Sequence, residues 1–332
     1  MSDKTGIEWT DATWNPVTGC AKVSQGCKHC YALRDWKRLS AMPNTVYHGR
    51  EFTDVMCHPE RLDQPMRWSR PRRIFVNSMS DLFHPDVPFE FIAAVFAVMS
   101  VTTRHTYQVL TKRPERMVEF FQWVADGAAC FDDDRISEHM PEGIDWKPAK
   151  AGRGGYDNCG PAFPYANVWL GVSVEDQATA DERIPLLLQT PAAVRWISAE
   201  PLLGPVDLMP MFEHRADFFN DTGVDWVVVG GESGPKARPM HPDWAYRLKD
   251  HCAQSGVPFL FKQWGEWVSA GQPAFGTVKG EVRHIRSDGS FWGEDLPKDE
   301  NADVLTVVKV GKRSAGRLLG GREWNEYPEV KA

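Results

Sequence analysis

Three cysteines near the start of the chain have a spacing that suits metal chemistry. Cys27 and Cys30 form a Cys-x-x-Cys pair, and Cys20 precedes that pair by a six-residue loop that contains Gly26. All three thiolates can therefore reach one metal centre and leave one coordination position open. A structural zinc site, by contrast, is closed by four protein ligands.

Two other interpretations of the cysteines remain open at the level of the motif. A fourth ligand from His29, Cys57 or His58 would complete a Cys₃His or Cys₄ zinc site. A redox disulfide between Cys27 and Cys30 is a weaker interpretation, because the surrounding pattern is not that of a small thioredoxin-like unit. The total of seven cysteines is odd and does not indicate a disulfide framework.

The composition predicts a cytoplasmic globular protein. The chain has 332 residues, of which 42% are hydrophobic and 25% charged, enough for one large α/β domain or two ordinary ones. No stretch is long and apolar enough for a membrane span, and we expect no signal peptide. The formal net charge of −7 argues against a surface that binds nucleic acid by charge alone, but it permits a local basic groove.

A strand–helix unit of about thirty residues repeats along the chain from residue 74 onward. The apolar runs are short and apolar throughout, as expected for parallel strands covered on both faces. We therefore predict an α/β fold, a full or partial (β/α) TIM-type barrel with parallel strands; the pattern does not exclude a doubly wound open sheet. The predicted strands are residues 13–18, 74–78, 107–111, 168–174, 194–198, 226–230 and 258–262, and the predicted helices are 31–40, 88–101, 114–125, 176–188 and 242–255.

Two regions depart from this repeat. Residues 127–165 contain three consecutive aspartates and many Gly and Pro residues, which indicates a long loop insertion. Residues 268–332 form an irregular tail with a short strand near 304–310 and a basic helical piece near 313–319. We expect a barrel domain over residues 1–267 and a C-terminal extension over 268–332 that packs on it.

The position of the cysteine motif favours a catalytic centre. The motif follows the first predicted strand and precedes the helix at 31–40, so in a barrel it lies at the mouth, where barrel enzymes carry their chemistry. A structural zinc ion has no need of that position. Polar residues also follow the other predicted strands. These residues should therefore lie at the same edge of the sheet as the cysteine motif.

The chain resembles the radical S-adenosylmethionine (SAM) superfamily, and more closely a phage-associated family of radical-SAM-like proteins of unassigned function. The resemblance covers nearly the whole chain, but the usual Cys-x₃-Cys-x₂-Cys spacing is exceeded here by three residues in the first gap. Besides the three cysteines, its motifs are GIEWTDATWNP at 6–16, FVNSMSDLF at 75–83, LTKRPERM at 110–117, WLGVSVE at 169–175, SAEPLLG at 198–204, VGGESG at 229–234 and FKQWG at 261–265.

The resemblance implies a [4Fe–4S] cluster on Cys20, Cys27 and Cys30, with SAM bound at the open iron. Reductive cleavage of SAM then gives a 5′-deoxyadenosyl radical that abstracts a substrate hydrogen. Asp81 is the expected partner of the SAM ammonium group, and Lys112 with Arg113 suits its carboxylate or a substrate phosphate. The candidate catalytic residues are Lys112 and Glu232, and the candidate cofactor-binding residues are His29, Tyr31, Asn77, Ser78, Ser80, Asp81, Ser173, Glu175, Glu200, Gly230 and Gly231.

Several of these residues have an equally simple structural interpretation. Ser78 and Ser80 can cap a helical turn. Glu175 and Glu232 can be structural carboxylates bonded to backbone amides. The glycine pair at 230–231 can serve only a tight turn.

Two basic stretches, residues 67–73 and 312–322, suggest an anionic macromolecular substrate, although an ordinary charged surface fits them as well. We therefore expect a radical SAM enzyme that modifies a nucleobase in phage DNA or in RNA. The resemblance further implies a one-electron donor such as flavodoxin or ferredoxin, and a three-Cys-motif partner protein. The alternatives are a non-enzymatic nucleic-acid-binding protein with zinc or an Fe–S cluster, and a barrel hydrolase that uses Glu175 and Glu232.

Overall fold

The computed structural model describes residues 5–126, 134–143, 164–213, 223–270, 272, 275–276, 279–291 and 303–329. In chain order the elements of this part are β1 (Ala12–Trp14), β2 (Val17–Thr18), α1 (Tyr31–Ser40), β3 (Met56–Cys57), β4 (Arg73–Val76), α2 (Phe89–Val101), β5 (Thr106–Thr111), α3 (Pro114–Asp126), α4 (Asp134–Glu138), β6 (Val168–Ser173), α5 (Gln177–Leu188), β7 (Val194–Ala199), α6 (Met209–Glu213), β8 (Trp226–Gly230), α7 (Pro242–Ser255), β9 (Phe259–Gln263), β10 (Trp267–Ser269), β11 (Val282–Ile285), β12 (Leu305–Lys309) and α8 (Lys312–Ala315).

Seven parallel strands form a curled half-barrel sheet in the order β1-β4-β5-β6-β7-β8-β9. Each strand of this sheet pairs with its nearest sheet neighbours in chain order, whereas a doubly wound sheet reverses its order at a switch point. The prediction of a partial barrel is therefore confirmed, and the alternative of a doubly wound sheet is wrong.

The two faces of the half-barrel carry different side chains, because successive residues of a strand point to opposite faces. In β6, Val168, Leu170 and Val172 belong to the main hydrophobic core, which is covered by the helices. Trp169 belongs to a separate, mostly aromatic cluster, and Ser173 borders a cavity on the same concave face. The concave face is therefore aromatic near the amino ends of the strands and polar near their carboxyl ends.

The first predicted strand, residues 13–18, is divided in two. Pro16 has no amide hydrogen to donate to a ladder, and the side chain of Asn15 accepts hydrogen bonds from Ser78 Oγ at 3.1 Å and the Met79 amide at 3.0 Å. After this break, β2 leaves the parallel sheet and pairs antiparallel with β3. The break turns the chain towards the cysteine loop.

Local signals fix the ends of several helices. Helix α5 begins with a capping box, in which Asp176 accepts from the Thr179 amide at 2.9 Å. Helix α7 begins at Pro242 after the N-cap His241 and ends at Ser255, where it is capped by Gly256, whose φ of 64° is left-handed. These boundaries match those expected from the sequence within about two residues.

The C-terminal part of the chain contributes a three-stranded antiparallel sheet, β10-β12-β11, and then returns to the half-barrel. Asn325 forms an antiparallel bridge with Leu260 of β9. Tyr327 lies 5.3 Å from the ring of Trp226 and packs under Arg73, at 4.2 Å. Trp226 is the first residue of β8 and Arg73 is the first residue of β4. The C-terminal segment therefore lies at the amino end of the half-barrel.

Most of the predicted insertion at 127–165 lies outside the described residues, apart from α4 and a few residues at its edges. The strand expected near 304–310 is β12, and the helical piece expected near 313–319 is the shorter α8. Within the described residues no helix is long and apolar enough to span a membrane.

Candidate active site

A cavity of about 860 Å³ lies at the carboxyl ends of the seven sheet strands. Its volume is within the usual range for small-molecule sites. Trp9, Phe75 and Leu110 line its aromatic and aliphatic floor. Every strand of the sheet contributes at least one polar or glycine residue at or just after its carboxyl end: Asn15, Asn77, Lys112, Ser173, Ser198, Gly231 and Lys262.

The three cysteines border this cavity together. Cys20, Cys27 and Cys30 are all half-buried and carry free thiols. Cys27 ends a short 3₁₀ turn, and Cys30 is the residue immediately before α1. Gly19 enters the loop with a φ of 93°, and a side chain there would collide with the carbonyl oxygen of Asp54. Local backbone geometry therefore directs the loop over the mouth of the half-barrel.

Burial disfavours the charged thiolate form of Cys20 and Cys30. At Cys20 the positive charge of Arg113 partly offsets this effect. Burial, together with the nearby carboxylate of Asp81, raises the pKa of Cys20 to about 11. Arg113 acts in the opposite direction and lowers this pKa. Burial likewise raises the pKa of Cys30. A metal centre would have to displace these protons, because only thiolates are ligands.

Two of the residues that could close a zinc site, His29 and His58, have polar partners away from the cysteines. His29 Nδ1 lies 3.0 Å from Glu232 Oε2. His58 is paired through Nε2 with Thr18 at 2.7 Å and through Nδ1 with Glu60 at 3.2 Å.

Neither Cys57 nor His58 borders the cavity. Among the described residues, no three His, Cys, Asp or Glu side chains are close enough to hold a single ion. The three cysteines border one cavity without forming such a group.

Glu175 anchors one side of the cysteine loop. Its side chain is 1% exposed and accepts a hydrogen bond from Ser24 Oγ at 3.0 Å. Lys112 and Arg183 both form ion pairs with it, the latter at 3.1 Å. A side chain at Gly26 would overlap the carboxylate, so the loop can approach Glu175 this closely only with glycine at position 26. Glu175 therefore lies behind the loop and does not border the cavity.

Glu232 anchors the other side of the loop. Arg238 contacts both of its carboxylate oxygens, at 2.7 and 3.0 Å, and also donates to the Gln25 carbonyl at 2.9 Å. Burial alone would raise the pKa of Glu232, but the hydrogen bonds from Arg238 and His29 outweigh it and lower that pKa. The carboxylate thus stays charged and links the loop to the end of β8.

Asp81 is saturated by protein donors. Its Oδ1 accepts from Thr111 Oγ1 at 2.8 Å and from the Phe83 amide at 3.0 Å. Its Oδ2 accepts from the Lys112 amide at 3.1 Å and from Arg113 Nη1 at 3.0 Å. Arg113 in turn donates to the Ala21 carbonyl at 2.8 Å, so Asp81 positions the loop through Arg113.

Glu200 and Lys262 present a pair of opposite charges to the cavity. Glu200 Oε1 lies 2.9 Å from Lys262 Nζ, and Ser198 Oγ donates to Oε2 at 3.3 Å. Both charged side chains border the cavity and are 13% and 18% exposed. A side chain at Gly230 would collide with Glu200, which explains the glycine; Gly230 itself does not border the cavity.

The remaining candidates lie on the β4 side of the cavity. Asn77 has a φ of 62°, which Asn tolerates better than most residues, and its Oδ1 accepts from the Val17 amide at 3.2 Å. Ser78 donates to Asn15, and Ser80 donates to the Val17 carbonyl at 2.8 Å. The Tyr31 hydroxyl donates to the Ser78 carbonyl at 2.6 Å. These contacts join β1, β4 and α1 beneath the cysteine loop.

Sequence reasoning missed two residues that hold this arrangement, Arg183 and Arg238. Arg183 is 2% exposed in the middle of α5. An arginine at a core-facing helical position requires a buried anion, and that requirement is the signal that could have revealed it. Arg238 lies in a loop, where the pattern of the chain carries no comparable signal.

The basic stretch at 67–73 lies far from the cavity. Arg104, which precedes β5, donates to the Trp68 carbonyl at 2.8 Å, and Arg72 stacks over Trp68 at 4.9 Å. The stretch leads into the first residue of β4, so it lies at the amino end of the strands, opposite the cavity. From the second stretch, Lys312 does reach the cavity rim.

The fold and site together define an α/β half-barrel with a cysteine-lined cavity at the carboxyl edge of its sheet. The chain belongs to the family described as protein of unknown function DUF5131, whose model matches residues 4–328. A comparison of the sequence with curated proteins found no match.

Two solved structures are similar to the chain, and both are spore photoproduct lyase. A cysteine-to-serine variant has 9% sequence identity and a TM-score of 0.43 and covers 78% of each chain. A tyrosine-to-phenylalanine variant has 8% identity and a TM-score of 0.37 and covers 72% of this chain and 71% of the other.

Proposed function

We propose that this protein is a radical SAM enzyme, with Cys20, Cys27 and Cys30 as the ligands of a [4Fe–4S] cluster. The observation that supports it best is that all three cysteines border one cavity, whereas Cys57 and His58, two of the possible fourth ligands of a zinc site, do not border it. Three thiolates would leave one metal position of the cluster for another ligand, and the cavity is large enough for a cosubstrate. Bound there, the cluster supplies the electron that splits the SAM sulfonium into methionine and a 5′-deoxyadenosyl radical.

The chain's own residues orient the cosubstrate. The Glu200–Lys262 pair borders the cavity with both charges partly exposed. The amino-acid end of SAM carries one ammonium and one carboxylate, so this pair is complementary to it. Asp81, by contrast, already accepts four hydrogen bonds from the protein and has little capacity left for a ligand. Asp81 and Glu175 therefore act as positioning residues for the cysteine loop.

The aromatic floor excludes water from the inner part of the cavity. Trp9 and Phe75 are 2% and 7% exposed, and both border the cavity. A dry cavity protects a reactive radical from side reactions with solvent. Ser173 and Ser198 lie between this floor and the charged rim and offer hydroxyl groups to a polar ligand.

The test is a dithionite-driven assay for 5′-deoxyadenosine with anaerobically reconstituted protein. The wild-type protein is expected to cleave SAM, and Cys20→Ala, Cys27→Ala and Cys30→Ala are each expected to abolish cleavage. Cys57→Ala is the matched control, because Cys57 is also half-buried and its pKa is also raised to about 11 by burial, yet it does not border the cavity. Loss of cleavage in the Cys57 variant alone, or no cleavage by an iron-loaded wild type, would refute the proposal.

A further inference from the structure

The chain is acidic overall, but the segment around the cysteines is basic. Residues 19–50 contain six Lys and Arg and a single Asp, against a formal charge of −7 for the whole chain. The exposed cations of this segment are Lys22, Lys28, Arg34, Lys37 and Arg38. Positive charge is therefore concentrated on the cysteine loop and on the helix that follows it.

Part of this charge forms a stripe that runs out of the cavity along α1. Tyr31, Arg34 and Arg38 are separated by three and four positions, so they lie on one face of the helix. All three border the cavity, as does Lys22 on the loop. At 1.5 Å per residue the stripe is about 10 Å long.

The cations of the stripe are not neutralised by strong ion pairs in the described part of the chain. Arg34 forms an ion pair with the adjacent Asp35 at 3.4 Å, and both side chains are nearly half exposed, which makes the pair weak. Arg38 contacts Met42 Sδ at 3.5 Å. No ion pair of Lys22 or Arg38 is seen among the described residues.

We propose that the Tyr31–Arg34–Arg38 stripe binds the phosphodiester backbone of a single-stranded nucleic acid at the mouth of the cavity. Guanidinium groups bind phosphate oxygens in a bidentate manner. Tyr31 is 40% exposed and offers a ring on which a base can stack. A base that is to be modified must leave its stack to enter a closed site, which a single strand allows at low cost.

A second class of partner, an acidic protein surface, would also be attracted by these charges. The stripe favours nucleic acid because its residues border the cavity itself and because an aromatic ring accompanies the two arginines. This inference names the substrate class of the proposed radical SAM site and rests on that proposal for its chemistry. Its binding test does not need an active cluster.

The experiment measures binding of a fluorescently labelled oligothymidylate by anisotropy, with the purified protein at several salt concentrations. Arg34→Gln/Arg38→Gln is expected to weaken binding about tenfold and to reduce the salt slope by about 1.4, the value for two single-strand phosphate contacts. The matched control Arg67→Gln/Arg70→Gln removes the same charge at the opposite end of the strands and is expected to leave both quantities unchanged. Thermal unfolding of both variants verifies that they are folded.

Equal losses in the two double variants, or no measurable binding by the wild type, would overturn the inference. So would competition by poly-glutamate as strong as that by unlabelled oligonucleotide, which would identify an acidic protein as the occupant. If the oligonucleotide binds as expected but SAM is not cleaved, the proposed function fails and the binding surface stands.

Discussion

At the scale of single residues, buried carboxylates help to hold the cysteine loop, and two of them contact it directly. Glu175 and Glu232 lie on opposite sides of the cysteine loop, and each binds at least one arginine or lysine and one residue of the loop. The sequence identified both glutamates as site candidates because they follow strands. It could not show that they face the loop, since their partners there, Ser24 and His29, are more than 100 residues away along the chain.

The first prediction concerns Glu175→Gln. The substitution leaves Arg183 without a counter-charge in a site where both side chains are at most 2% exposed. Breaking a buried pair costs on the order of 3 kcal/mol, so we expect a loss of about that size in the free energy of unfolding, measured with urea. The iron content after reconstitution is also expected to fall.

Glu182→Gln is the matched control for that substitution, because Glu182 lies exposed on the same helix as Arg183. Its free energy of unfolding should change by less than about 0.5 kcal/mol. If Glu175→Gln and Glu182→Gln were equally stable and bound equal amounts of iron, Glu175 would have no anchoring role.

At the scale of helices and strands, most boundaries could be predicted because they depend on local signals. Helices α1 and α7 begin and end where the sequence indicates, at residues 31–40 and 242–255. The strand predicted at 13–18 was wrong in one respect, since the chain changes sheets at Pro16. That change depends on Asn15 binding the loop after β4, a long-range contact that periodicity does not reveal.

The second prediction concerns the N-cap of α7. The Nδ1 atom of His241 accepts a hydrogen bond from the Asp243 amide at 3.2 Å, which requires the neutral ring. Burial lowers the pKa of His241 below its ordinary value of 6.5. Below about pH 6.5 the unfolded chain therefore binds a proton that the folded chain does not, and stability falls as the pH drops.

His241→Asn tests this effect, because Asn is a good N-cap that does not titrate. Urea unfolding at pH 7.5 and at pH 5.5 is expected to show a smaller loss of stability in this variant than in the wild type. Other buried histidines, such as His105, contribute equally to both proteins. Parallel pH profiles for variant and wild type would contradict the assignment.

At the scale of the whole molecule, an incomplete barrel is supplemented by the C-terminal segment. Trp324 and Glu326 hydrogen-bond with β9, and Tyr327 packs on Trp226 and Arg73 at the amino end of the sheet. The sequence indicated a tail packed on the barrel, but not which end it covers. An irregular segment has no periodicity from which its contacts could be inferred.

The third prediction concerns Tyr327→Ala, which removes one aromatic contact and one cation–π contact. Together such contacts contribute about 1–3 kcal/mol, and the free energy of unfolding should fall by that amount. Phe291→Ala is the control, because Phe291 is 47% exposed. Equal effects of the two substitutions would show that the segment does not stabilise the half-barrel.

We propose that the three cysteines at the mouth of this half-barrel hold an iron–sulfur cluster with one iron that has no protein ligand. The most direct test is iron, sulfide and zinc analysis of anaerobically purified protein. We predict about four irons and four sulfides per chain, lost together in the Cys20→Ala variant and retained in Cys57→Ala. A colourless protein with one zinc ion per chain, held equally well without Cys20, would contradict the account.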